Sequence, residues 1–259
     1  LFYSFTSYDG LHSLSWVGVS NYINLMKDNL FWTSLYNTAY FVMFSVPLNL
    51  IAAFALALLL NQRRIRGLAF FRTIFFVPSI MPLVASSVLW LWLLNPQYGL
   101  INTLLSYVGI TGPGWLSDPS WSKPALILMG LWGVGGWMVI FHAGLQNVPL
   151  AQYEAAQLDG ASVWQRLVHI TLPFMSPYLL FNAISGLILS FQYFLQPYVM
   201  TQGGPADSTT MYVVYLYQNA FQYYRMGYAS AMGWILFVIV AICTYLLFKT
   251  SARRVYYGD

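Results

Sequence analysis

The chain has 259 residues and a formal net charge of +4; 59% of its residues are hydrophobic and only 7% are charged. A soluble domain carries roughly a quarter charged residues, so this chain has too few charges to cover a water-facing surface. The composition therefore predicts a protein that is surrounded by lipid. The basic residues lie at the ends of apolar segments, which indicates orientation signals and argues against a nucleic-acid partner. The single cysteine, Cys243, cannot form an intramolecular disulfide.

The chain begins with Leu1-Phe2-Tyr3-Ser4-Phe5, which is typical of the exit end of a membrane helix. Five later segments are apolar and long enough to cross a bilayer as helices, because a span needs about 20 residues. These segments are 35–60, 73–94, 125–145, 177–198 and 229–248. We therefore expect an all-α membrane protein of six helices, with the first helix truncated here. Short segments of alternating polarity, which a membrane barrel would require, are not seen.

The basic residues predict the orientation of these spans. Eight of the eleven Lys and Arg residues lie in loops 61–72 and 146–176 and in the C-terminal tail. They are Arg63, Arg64, Arg66, Arg72, Arg166, Lys249, Arg253 and Arg254. This side is predicted to be cytoplasmic, which places the C-terminus inside the cell. The loops on the other side are rich in Pro and Gly, as in Gln202-Gly203-Gly204-Pro205, and would serve as connectors or as a surface for an external partner.

Loop 149–173 is too long for a simple connection between two spans. Its residues 150–158 favour helix, and Gly160 can end that helix in the left-handed conformation. Ser162 can cap a second short helix, which Pro173 is expected to stop before the next span begins. One interpretation is a helix that rests on lipid headgroups, but such a helix normally carries a basic polar face. This loop has little net charge, so a docking surface for another protein fits better.

The order Glu154-Ala155-Ala156, then Gly160, then Ile170-x-Leu172-Pro173 resembles the EAA motif of binding-protein-dependent ABC importer permeases. Further segments, including Phe75-Phe76-Val77-Pro78 and Gln202-Gly203-Gly204-Pro205, are similar to the carbohydrate-uptake branch, which includes the larger maltose-permease subunit and the glycerol-phosphate permease. The resemblance covers essentially the whole chain. It implies one permease domain over residues 1–259 with the ABC type I importer (MetI-like) fold, in a bacterial or archaeal cytoplasmic membrane.

In that family the loop at 149–173, called the coupling loop below, seats in a cleft of an ATP-binding subunit. The residues assigned to this role are Glu154, Ala155, Ala156, Asp159, Gly160, Ile170, Leu172 and Pro173. The resemblance also implies a second permease subunit, two ATP-binding cassette subunits and an extracytoplasmic solute-binding protein. ATP and Mg²⁺ would be bound by the partner ATPase, with no cofactor in this chain.

Motifs and residue types that the sequence lacks limit the energy sources and the chemistry that this protein can use. None of the three lysines follows a glycine, so a phosphate-binding loop is absent. The five predicted spans hold no Asp, Glu, Lys or Arg, which disfavours an ion-coupled secondary carrier, although that alternative stays open. His142 is the one histidine in these spans and is expected to be a packed or headgroup-level residue. No nucleophile pairs with a base, and no ligand pattern indicates a metal, so we expect no enzyme activity.

The substrate path is expected to be polar, uncharged and rich in aromatic groups, which suits a sugar. Trp132, Gly133 and Gly136 qualify in one span, and Gly186, Ser190 and Tyr193 qualify in another. Resemblance to the maltose permease supports Gly133, Gly186, Ser190 and Tyr193, three of which differ in residue type from that protein. The glycines could instead serve close helix packing, and the polar groups could bond between helices.

Overall fold

A computed structural model of the protein describes residues 1–10, 14–62, 67–252 and 255. These residues form helices and no strand, apart from one isolated bridge between Thr6 and Trp16. The helices are α1 (Ser20–Lys27), α2 (Asn29–Leu60), α3 (Leu68–Ile80), α4 (Leu83–Leu93), α5 (Leu100–Tyr107), α6 (Pro119–Trp132), α7 (Gly135–Gln146), α8 (Leu150–Leu158), α9 (Val163–Arg166), α10 (Leu172–Phe191), α11 (Leu195–Met200), α12 (Tyr212–Tyr217) and α13 (Met226–Ala252). The predicted all-α class is confirmed.

Within the described residues, the candidate spans reach the five predicted from the sequence only if two bent helix pairs each count as one span. Three helical segments, Asn29–Leu60, Val163–Met200 and Met226–Ser251, are long and apolar enough to cross a membrane. Two further spans are possible if α3 with α4, and α6 with α7, each count as one broken helix. The helices extend beyond the predicted apolar segments and therefore carry Arg72, Lys123 and Lys249 near their ends.

Both broken spans contain residues that interrupt a helix. Pro82 precedes α4 and has no N–H to continue the helix of α3, while Met81 before it takes the extended conformation that a following proline favours. Between α6 and α7 the break falls at Gly133 and Val134. A Cβ at the adjacent Gly135 would overlap the carbonyl oxygen of Phe75, so α7 approaches α3 backbone to backbone at this point.

The prediction that Pro173 stops the second helix of the coupling loop is wrong. Helix α9 runs through a π-helical turn at Leu167–Thr171 directly into α10, and all of these residues belong to the candidate span Val163–Met200. In the π turn the N–H of Leu172 donates to the carbonyl oxygen of Leu167, one residue further back than in an α-helix. Pro173 then lies in the first turn of α10, directly after the π turn.

The residues group into two compact units, each with its own core. One comprises Leu1–Ser45, Pro82–Met129 and Ile188–Ile242, and its core is built around Phe31, Tyr212 and Met232. The other comprises Val46–Met81, Gly130–Leu187 and Cys243–Asp259; its core contains Phe141, Met138 and Met175. The single transmembrane domain expected over residues 1–259 stays a prediction.

Five basic residues on which the predicted orientation depends lie outside the described residues; they are Arg63, Arg64, Arg66, Arg253 and Arg254.

Candidate functional site

The first half of the coupling loop ends in a hydrogen-bonded Schellman motif. Gly160 has the left-handed φ of 77° that the sequence predicts. The N–H of Gly160 donates to the carbonyl oxygen of Gln157 at 3.2 Å, and the N–H of Ala161 donates to that of Ala156 at 2.9 Å. These two bonds satisfy carbonyls at the end of α8 and turn the chain sharply at Asp159 and Gly160.

The second half of the loop starts with a complete capping box. The N–H of Gln165 donates to Ser162 Oγ at 3.3 Å, and the N–H of Ser162 donates to Gln165 Oε1 at 2.7 Å. The N-cap predicted at Ser162 is therefore confirmed. Because both helix ends are capped within three residues of each other, the turn between α8 and α9 has a defined shape without help from a partner.

This turn presents apolar side chains to its surroundings. The side chain of Leu158 is 90% exposed, that of Val163 is 73% exposed and that of Trp164 is 69% exposed. The carboxylates of Glu154 and Asp159 are exposed on the same short segment. Apolar groups grouped this way at a capped turn are typical of a surface that another molecule covers.

The remaining coupling residues connect the turn to the long helix behind it. Ala156, Ile170, Leu172 and Pro173 are half-buried, whereas Ala155 is exposed. Tyr153 on α8 brings its hydroxyl oxygen to 2.8 Å from Oγ1 of Thr171, which is buried in the π turn. This bond joins α8 directly to the base of α10.

His142 lies on α7 with 8% of its surface exposed, which agrees with its expected role as a packed residue. Its Nε2 is 2.6 Å from a guanidinium nitrogen of Arg72, which is therefore the donor to the imidazole ring. Arg72 also lines a cavity of about 630 Å³ together with Asn61, Gln146 and Tyr153. The cavity lies beside the first residues of α8.

The glycines proposed for the substrate path occupy different environments. Gly133 is exposed at the break before α7, and a Cβ at Gly136 would meet open space. A Cβ at Gly186 would overlap the indole ring of Trp137, so Gly186 provides the space into which that ring packs. Trp132 is half-buried at the end of α6.

Ser190 and Tyr193 lie near the end of α10 and just after it. Ser190 is buried, and the ring of Tyr193 stacks on Phe41 with centroids 4.1 Å apart and planes 13° apart. Asn182, on the same helix, is buried and its amide has no hydrogen-bond partner among the described residues. An amide of this kind inside a span is available to a ligand or to another subunit.

A hydrogen-bonded carboxylate at the start of α2 was not found by the sequence reasoning. Asp28 Oδ2 accepts bonds from the hydroxyls of Tyr215 at 2.5 Å and Tyr228 at 2.6 Å, while Oδ1 accepts the N–H of Leu30 at 2.9 Å. Partial burial by itself would raise the pKa of Asp28, but the bonds from the two tyrosines and the backbone outweigh it and lower the pKa. The partners are 187 and 200 residues away in sequence, which leaves no local signal.

The described residues contain no group of three or more His, Cys, Asp or Glu side chains that could hold a metal ion. The turn between α8 and α9 combines capped helix ends, exposed apolar side chains and a hydrogen bond from α8 to the base of α10.

The fold is shared with solved ABC transporters. The chain superposes on a subunit of a bacterial ABC transporter involved in the import of the acidic polysaccharide alginate, with a TM-score of 0.82 and 25% identity, over 92% of this chain and 84% of that one. The MetNI methionine ABC transporter is more distant, with a TM-score of 0.51 and 19% identity over 90% of this chain and 96% of that one. The predicted ABC type I importer fold is therefore confirmed.

The profile of the binding-protein-dependent transport system inner membrane component family matches residues 45–257, and the chain belongs to this family. It is 42% identical to the probable ABC transporter permease protein YesP of Bacillus subtilis, over 99% of this chain and 84% of that protein. It is 35% identical to the lactose transport system permease protein LacF of Rhizobium radiobacter (93% and 83% covered). It is 34% identical to the trehalose/maltose transport system permease protein MalF of Thermococcus litoralis (92% and 80% covered).

The chain is thus a transmembrane permease subunit of an ABC importer, in the inner membrane. The predicted family is confirmed. Membership in it gives no support to the ion-coupled carrier that the sequence left as an alternative.

Proposed function

We propose that this permease imports a sugar or oligosaccharide and that its coupling loop transmits the energy of ATP hydrolysis from a separate subunit. The assembly comprises a second, related permease subunit, two ATP-binding cassette subunits and an extracytoplasmic solute-binding protein, and membrane lipid surrounds the two permease subunits. ATP and Mg²⁺ are bound by the cassette subunits. The coupling loop and the C-terminus face the cytoplasm, as the distribution of basic residues predicts.

The observation that carries the docking proposal is the exposed apolar turn of the coupling loop. Leu158, Val163 and Trp164 are mostly exposed although the turn around them is fully capped. Covering this apolar surface with a partner would stabilise the complex by about 25 cal/mol for each Å² removed from water. The exposed Glu154 and Asp159 carboxylates at the same turn can accept charge-assisted bonds from Arg or Lys of the cassette subunit.

A charge placed at the most exposed position of this turn tests the docking proposal. We expect the Leu158→Asp permease to insert normally into the membrane. The amount of cassette subunit that co-purifies with it should fall at least tenfold, because an unpaired carboxylate would be buried in the contact. Val108→Asp is the matched control, since Val108 is 70% exposed and follows α5 outside the coupling loop. Equal recovery of the cassette subunit with Leu158→Asp and wild type would refute docking at this turn.

The sugar assignment rests on the chemistry of the spans and on what the relatives are described as transporting. The relatives include permeases for lactose, for trehalose and maltose, and for arabinooligosaccharides. Uncharged polar and aromatic groups in the spans suit sugar hydroxyls and C–H faces. We propose that Trp132, Gly133, Gly136, Ser190 and Tyr193 line the path, and that Gly186 contributes by seating Trp137.

Two conservative variants test the path. Ser190→Ala and Tyr193→Phe remove one hydroxyl each, and Phe preserves the ring that stacks on Phe41. Both should shift the relative uptake of different sugars by tenfold or less while the cassette subunit still docks. Uptake of every sugar at wild-type rates in both variants would remove these residues from the path and leave the docking proposal intact.

A further inference from the structure

The loop at 201–211, called the TQGGP loop, is folded tightly upon itself. Thr209 Oγ1 is 2.6 Å from Thr201 Oγ1 and donates to the carbonyl oxygen of Gly204 at 2.6 Å. Thr210 Oγ1 donates to the carbonyl oxygen of Gly203 at 3.1 Å, and the N–H of Thr209 donates to the same oxygen at 3.1 Å. The hydroxyl residues therefore form the inside of the loop.

The outside of the loop is formed by residues with unusual backbone conformations. Gln202, Ala206 and Asp207 have φ values of 51°, 46° and 55°, a region that residues other than glycine seldom adopt. All three are exposed, while Ser208, Thr209 and Thr210 are buried. Left-handed residues of this kind persist only where the surroundings hold them, and they concentrate at binding and switch regions.

The surroundings that hold the loop come from α2 and α6. Asn37 on α2 is buried, and its Nδ2 donates to the carbonyl oxygens of Asp207 at 2.8 Å and Thr210 at 3.2 Å. The N–H of Tyr212 donates to Thr38 Oγ1 at 2.8 Å. The hydroxyls of Ser122 on α6 and Ser208 are 2.7 Å apart.

The amide of Asn37 is itself oriented by a cation. Lys123 Nζ donates to Asn37 Oδ1 at 2.9 Å and lies 5.2 Å from the ring centroids of both Tyr36 and Tyr40. Because an ammonium group can only donate, it fixes which end of the Asn37 amide points to the loop. The two aromatic faces stabilise the charge at this position.

We infer that Lys123 is a positioning residue that, through Asn37, holds the TQGGP loop in the shape with which the permease meets its solute-binding protein. This inference rests on the proposed function, under which the loop lies on the extracytoplasmic side. The exposed surface of the loop then consists of Gln202, Ala206 and Asp207, which offers an amide and a carboxylate to a protein partner at low entropic cost.

The test uses the complete transporter, reconstituted in lipid nanodiscs with its substrate-loaded solute-binding protein. ATP hydrolysis is measured against the concentration of binding protein. We expect Lys123→Met to raise the half-saturating concentration at least tenfold, with the basal rate unchanged and the maximal rate within twofold of wild type. Lys123→Arg, which keeps the cation and a donor, should stay within threefold of wild type. Lys27→Met is the matched control, because Lys27 is an exposed lysine on the same proposed side.

An unchanged half-saturating concentration in Lys123→Met would overturn the inference. So would an equal fall of basal and stimulated rates, which indicates general destabilisation, or an Arg variant as defective as the Met variant. A wild-type complex that the binding protein does not stimulate would instead contradict the proposed function.

A second measurement tests the loop in the permease itself. A spin label is attached at Gln202→Cys in a chain whose natural cysteine is replaced by Cys243→Ser. Lys123→Met should make the label's spectrum markedly more mobile, and Lys27→Met should leave it unchanged. An equally immobile label in Lys123→Met would show that Lys123 does not hold the loop.

Discussion

Gly160 shows how one residue shapes the coupling loop through its backbone. A Cβ at this position would meet no atom within 4 Å, so crowding does not require glycine. The left-handed φ of 77° is what favours glycine, because a residue with a Cβ adopts this conformation at a cost of roughly 1–2 kcal/mol. The proposed docking role therefore depends on a turn whose conformation only glycine adopts without strain.

The variant Gly160→Val separates this role from general stability. It should lower the ratio of sugar transported to ATP hydrolysed at least tenfold, because the turn between α8 and α9 changes direction. Gly109→Val is a closely matched control, since Gly109 has a φ of 77°, open space and the same pair of bonds at the end of α5. Both variants should lose about the same thermal stability. Loss of coupling in both, or in neither, would contradict the assignment of Gly160.

Asp28 gives the protein a stability contribution that depends on pH. Its folded-state pKa lies below the ordinary value of 3.8, so the contribution is complete above that value and disappears as the pH falls through the lowered folded-state pKa. Between about pH 6 and about pH 3, the thermal midpoint of wild type should fall further than that of Asp28→Asn. A fall of equal size in both proteins would show that Asp28 adds nothing.

At the scale of helices, the apolar runs and the capping residues were enough to predict most elements. The helix at 150–158, the left-handed Gly160 and the cap at Ser162 follow from local chemistry, and the structure confirms all three. The break of α6 and α7 at Gly133 was missed, because glycine in an apolar segment also serves close packing in continuous helices. The continuity through Pro173 was missed because a π turn has no sequence signature.

The lining of the substrate path could not be predicted from helix periodicity. Membrane helices such as α2 and α13 are apolar all round, so the sequence does not distinguish a side that faces lipid from one that faces protein. The family resemblance indicated which positions line the substrate path but not which residues they contact. The packing of Trp137 against Gly186 and the stacking of Tyr193 on Phe41 became visible only in the structure.

The bond between Tyr153 and Thr171 connects the docking helix to the membrane-spanning helix. Tyr153→Phe removes it with little change in shape. If α8 moves α10 through this contact, the variant should keep the cassette subunit bound and hydrolysing ATP but should transport several-fold less sugar per ATP. The matched control is Tyr178→Phe, which removes the bond from Asn147 to another hydroxyl in the same unit. Wild-type coupling in Tyr153→Phe would assign the transmission to other contacts.

At the scale of the whole molecule, the distribution of charge indicates where the energy for transport enters. The central parts of the predicted spans hold no Asp, Glu, Lys or Arg, whereas carriers driven by ions normally keep such groups at membrane depth. Arg72, Lys123 and Lys249 lie towards the ends of their helices. Under the proposed function, the energy reaches the spans mechanically, from the coupling loop.

Sugar uptake into proteoliposomes tests this account most directly. The permease is reconstituted with its second permease, cassette subunits and solute-binding protein, and uptake is compared with ATP, with a non-hydrolysable ATP analogue, and with a proton or sodium gradient alone. We predict sustained accumulation only with hydrolysable ATP, and its loss when Leu158→Asp prevents the cassette subunits from docking. Accumulation driven by an ion gradient in the absence of the cassette subunits would contradict it.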